Sequence, residues 1–186
     1  LAQVYVSQRF SGGVISEYST ARLSADLAKA LAILPVNRER AIELLDGIHR
    51  NFATDGVLAD DFFPLVKKAG LDKELDRWFA ASWVTMSSVL GQFPECDNTI
   101  NTAAWLASRA GKKLAETEKY LAAAIDRNPD QAAYLDTMAE LHFAKSDRKN
   151  AVKWSERALL HYPLTDRPYD VMIRKQHERF LNDPLP

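Results

Sequence analysis

The 186-residue chain has a single cysteine, Cys96, which excludes an internal disulfide framework and any cysteine-rich metal site. It has only seven glycines, and no segment reads as alternating strands closed by Asn-Gly or Asp-Gly turns. No apolar run approaches the ~18 residues of a membrane-spanning helix, so no membrane insertion is expected. With a net charge of −1 the chain lacks the basic field that would hold nucleic acid or an anionic bilayer. His49, His161 and His177 have no His or Cys at i+3 or i+4, so no metal ligand set is read. A nucleophile elbow, a phosphate loop and a dinucleotide fingerprint are all missing. The expectation is a non-catalytic protein without a cofactor.

What remains is helical periodicity. Leu23, Leu27, Leu31 and Leu34 recur at helix spacing until Pro35 stops them. Asn37 then caps a second helix with the stripe Ala41, Leu44, Leu45, Ile48 and Phe52. Asp60-Asp61 reads as the N-cap of a helix that tolerates Pro64 in its first turn and ends at Gly70. A longer helix, about 72–90, carries Leu75, Trp78, Phe79, Ser82, Trp83, Met86 and Leu90. Further helices are expected at 98–109, 114–127, 131–146, 147–161 and 168–181. The first helix is expected from Ser19 onward; Leu1 to Thr20 mixes apolar and polar residues around Gly12-Gly13 and reads as a loosely ordered edge, apolar over Leu1 to Phe10. Asp126 to Asp130 lacks the alternating pattern of a calcium loop. Arg148, Lys149, Lys153, Arg157, Arg174, Lys175 and Arg179 are interrupted by acids, so they read as a solvated mixed-charge face.

The last third repeats. Pro129 and Pro163 lie 34 positions apart, and Tyr120 matches Trp154 as Ala124 matches Ala158. The first helices slip to 35, from Ala104 to Ala139, so one extra residue belongs in the loop around Gly111. Small residues at Ala104, Ala139, Ala124 and Ala158 suit the closest approach of paired helices. Leu135, Met138, Ala139, His142, Ala151, Trp154, Ala158 and Pro163 resemble the tetratricopeptide repeat pattern; Ala103, Ala104, Thr117, Leu121, Ala124 and Pro129 resemble it in the preceding unit. His142 and Ser146 stand where that family usually has Tyr and Gly. The resemblance is to a variant of bacterial arrays.

It implies an all-α fold of stacked hairpins, a right-handed α-α superhelix running through the whole chain as one continuous solenoid. In that division 1–97 holds divergent hairpins, 98–163 holds two regular repeats (98–129 and 132–163), and 164–186 is a C-terminal capping helix. It also implies a concave groove lined by the first helices: Asn98, Asn101, Trp105, Ser108 and Arg109, then Ala133, Asp136, Glu140 and Phe143. Trp105 and Phe143 would anchor a ligand and Asn101 would bond its backbone, although a Trp105 wedged between repeats has the same spacing. Relatives that clamp acidic C-termini use a Lys/Asn/Arg set; here the corresponding face carries Asp136 and Glu140 without the lysines, which favours a neutral or basic segment.

The expected function is therefore a protein–protein interaction scaffold that binds a peptide or helix. The alternative is a structural or self-association segment of a larger multidomain bacterial protein, which the start at Leu1 without an initiator Met also suggests. A soluble, cytoplasmic setting is the expectation. An enzyme site built from His142, Glu140 and Asp136 is a third reading.

Overall fold

Helix boundaries follow local signals closely. The computed structural model describes residues 14–162 and 168–186, and within them every regular element is a helix. The apolar edge at Leu1 to Phe10, Gly12-Gly13 and the repeat-ending Pro163 lie outside the described residues. The chain divides into two compact units, Leu1–Ala53 and Thr54–Pro186.

The first unit is a hairpin of α1 (Val14–Ile33) and α2 (Arg38–Phe52). Its turn is tied by the Val36 and Asn37 N–H groups, which donate to the Ile33 carbonyl at 2.9 and 2.8 Å. Asn37 caps α2 as expected, accepting from the Arg40 N–H at 3.0 Å. Leu23, Leu27 and Ala30 on α1 and Ala41, Leu45 and Ile48 on α2 are buried, one residue per helical turn.

The second unit opens with a π-helical turn, Leu58–Phe62, running directly into α3 (Phe63–Lys68). Here the capping expectation for Asp60-Asp61 is corrected: α3 has no side-chain cap, and Asp55 instead accepts from the Val57 N–H at 3.0 Å. α4 (Asp72–Gln92) follows. Phe62 meets Trp78 edge-on at 4.9 Å and Phe63 meets Phe79 at 6.3 Å, so these elements share an aromatic core.

Two hairpins come next: α5 (Asp97–Ala110) with α6 (Leu114–Arg127), then α7 (Ala132–Ala144) with α8 (Arg148–Leu160). α4 packs on α5 and α5 packs on α7, so the segment from Thr54 to residue 97 belongs to the same packing unit as the two hairpins. Both hairpins turn by the same device. Lys112 N–H donates to the Ala107 carbonyl across Gly111 at φ 70°, and Asp147 N–H donates to the His142 carbonyl across Ser146 at φ 61°. These turns are 35 positions apart, whereas α6 and α8 begin 34 apart. The extra residue is Lys113, itself held at φ 55°.

α9 (Pro168–Asn182) packs on α8. Its Phe180 joins Ala139, Phe143 and Ala151 in a buried cluster, with the Phe143 and Phe180 rings 5.2 Å apart. Arg148 fastens its end, donating to the Phe180 and Leu181 carbonyls at 2.6 Å each and also to that of Asp183. With α5, α6, α8 and the side chains of α9 around it, α7 is buried on nearly every face, polar positions included.

Candidate functional site

One set of polar residues in the second unit converges around Arg109, near the end of α5. A π turn pairs residues five apart: the Phe63 N–H reaches the Leu58 carbonyl, and the partner due to Ala59 is Pro64, which has no N–H. Arg109 Nε donates to that Ala59 carbonyl at 3.1 Å. Its Nη1 donates to Glu140 Oε1 at 3.1 Å, and its guanidinium lies 5.7 Å from the Trp105 ring centre. Trp105 Nε1 in turn donates to Asp60 Oδ1 at 2.9 Å. The side chain of Arg109 is thereby held on three sides.

Glu140, 3% exposed, joins two helices: its other oxygen accepts from Arg179 Nη2 of α9. Arg179 also lies over the Phe143 and Phe180 rings, at 4.6 and 4.8 Å. One turn before Glu140 on α7, Asp136 is equally buried and faces the Gln176 amide, whose end atom sits 2.7 and 2.8 Å from the two carboxyl oxygens. That contact suits either protonation state, since the amide nitrogen donates to a carboxylate and its oxygen accepts from a carboxylic acid.

Burial raises the Asp136 carboxyl well above its ordinary pKa; Glu140 adds to the rise, and Arg179 and Arg109 oppose it. Asp60 keeps an exposed edge, yet desolvation still raises its pKa against the lowering by the Trp105 N–H and Arg109. Arg179 is drawn down by desolvation, against the pull of Glu140, but an arginine stays charged near neutral pH.

Beside this row lies an open cleft of about 370 Å³, lined by Arg109, Val171, Met172, Lys175, Gln176 and Arg179. Of the nine residues read as groove lining, only Arg109 faces it. Asp136, Glu140 and Phe143 are buried where α9 lies against α7, and Ser108 is buried with its hydroxyl on the Trp105 carbonyl at 2.8 Å. Trp105 is half-buried and packed against the π turn through Asp60, which favours the wedge over the free anchor. Asn98 is exposed; Asn101 is half-buried with a carbonyl oxygen that meets no donor from the protein.

The acidic lining that favoured a neutral or basic ligand is thus consumed within the fold. The cations at the cleft come largely from α9, where Lys175 and Arg179 stand at i and i+4. That spacing was visible in the sequence, but read there as a solvated face.

His142 does not join Glu140 and Asp136. Its ring nitrogens face Asp147 at 3.1 Å and Glu118 at 3.6 Å, so the constellation of the third reading is not assembled. Among the described residues no group of three or more His, Cys, Asp or Glu could hold a metal ion, and no helix is long and apolar enough to cross a membrane. No family model, curated protein or solved structure matches the chain.

Proposed function

We propose that the unit from Thr54 onward is a non-catalytic module of tetratricopeptide type, its hairpins stacked as a right-handed superhelix, that captures a peptide or helix of a protein partner in the cleft beside α9. One observation carries this reading. The cleft is open, mixes aliphatic with charged walls, and is built from side chains already fixed to the scaffold: Arg109 by Ala59 and Glu140, Arg179 by Glu140 and two rings. A wall ordered before binding spares the partner the entropy of ordering it. The matching turns at Gly111 and Ser146, and helices α6 and α8 that begin 34 positions apart, support the repeat reading.

The test is selection of random displayed peptides against the 186-residue chain. Enriched peptides should compete with one another and lose at least about tenfold in affinity for Met172→Asp, a half-buried cleft position, with helicity unchanged. Failure to enrich any peptide, or binding indifferent to Met172→Asp, would overturn the reading.

A further inference from the structure

The charges of the cleft are out of balance, and the imbalance specifies a ligand. Three cationic side chains, Arg109, Lys175 and Arg179, line it, and no carboxylate does. Only one acid touches them, Glu140, buried beneath and shared between the two arginines. Among the described residues, Lys175 is exposed and meets no carboxylate within ion-pair distance. The next described carboxylates act on the arginines only from a distance and are engaged elsewhere or exposed: Asp60 holds the Trp105 indole, Asp136 holds Gln176, and Glu178 and Asp183 are exposed to solvent.

Among the described residues, two positive charges are therefore left without a contacting counter-charge. The donors are also unspent. Among the described residues, Arg109 has used Nε and one Nη1 hydrogen, which leaves the other Nη1 hydrogen and Nη2; Arg179 has used one Nη2 hydrogen, which leaves Nε, Nη1 and the other Nη2 hydrogen; Lys175 meets no acceptor. A carboxylate presents one charge and two oxygens. A phosphomonoester presents ~1.5 to 2 charges and three acceptor oxygens, which matches the charge and offers one oxygen to each of the three side chains.

Resting on the peptide-binding reading above, we infer that this cleft takes a phosphorylated side chain on a peptide, the phosphoryl group held among Arg109, Lys175 and Arg179 while the neighbouring residue lies against Val171 and Met172. Glu140 is then a positioning residue. Pinned to one carboxylate from different helices, the two guanidiniums are held at the cleft wall.

The experiment measures binding of the full chain to three degenerate peptide pools, identical except for a central phosphoserine, serine or glutamate, with inorganic phosphate as competitor. The phosphoserine pool should bind at least about tenfold tighter than either other pool, weaken as salt rises, and be displaced by phosphate. Lys175→Glu should remove most of that preference and Lys175→Arg should keep it; the position is exposed, so neither change threatens the fold. Equal binding of the phosphoserine and glutamate pools would overturn the phosphoryl assignment, as would a preference that survives Lys175→Glu. Binding of the serine pool that depends on Met172 but gains nothing from phosphate would overturn this inference and leave the peptide-binding reading standing. Phosphate binding with no pool bound would overturn both.

Discussion

Arg109 and Glu140, 31 positions apart in sequence, meet at 3.1 Å with the carboxylate side chain 4% exposed and the guanidinium 20% exposed. Through the second oxygen of Glu140 the same contact reaches Arg179, so one carboxylate ties α5, α7 and α9 together.

Removing that carboxylate leaves two partly buried guanidiniums facing each other. Glu140→Ala should destabilise the protein by about 2–4 kcal/mol, below the full cost of a broken buried pair because both arginines keep some solvent. Urea unfolding followed by circular dichroism measures this. A loss under about 0.5 kcal/mol would mean that the bridge does not hold the helices together.

Asp136 gives a pH dependence of definite sign. Its folded pKa lies above the ordinary 3.8, so the folded state holds a proton that the unfolded state releases, and its contribution to stability declines as pH rises beyond about 4. Asp136→Asn keeps the shape and the bond to Gln176 without the charge. The variant should match the parent near pH 4 and become more stable than it as pH rises from there. Parallel stability curves for the two proteins would refute the assignment.

Ser146 carries a left-handed backbone that Gly111 carries in the preceding hairpin. Ser146→Gly removes strain of about 1 kcal/mol and loses only an exposed bond to the Pro186 carbonyl, so it should stabilise by roughly 0.5 kcal/mol. Gly111→Ala should cost about 1 kcal/mol, although a Cβ there meets nothing within 4 Å. Both are read from thermal or urea midpoints. Destabilisation by Ser146→Gly would show that the tether to Pro186 outweighs the strain.

Much of the fold was legible because its signals are short-range. Pro35, Asn37, Gly70 and Gly111 end or begin helices by their own backbone chemistry, and the structure places those boundaries within a few residues of the expected ones. The extra residue near Gly111 was legible too, and it is Lys113. Asp60-Asp61 misled because an acidic pair before a proline suits a cap and a π turn equally well, and only the registry of Phe63 with Leu58 separates them.

The candidate site was legible by residue type but not by exposure. Asp136 and Glu140 repeat at helix spacing on α7, as groove-lining residues would, and nothing within that helix says whether another element covers them. The covering element is α9, whose Arg179 reaches Glu140 from 39 positions away. Sequence by itself determined the helices, their turns and the repeat, since each follows from the conformational preferences of a few neighbouring residues. Only the tertiary structure decided that the acids are buried and the cleft is cationic, because the charge a surface shows depends on which distant side chains have already paired.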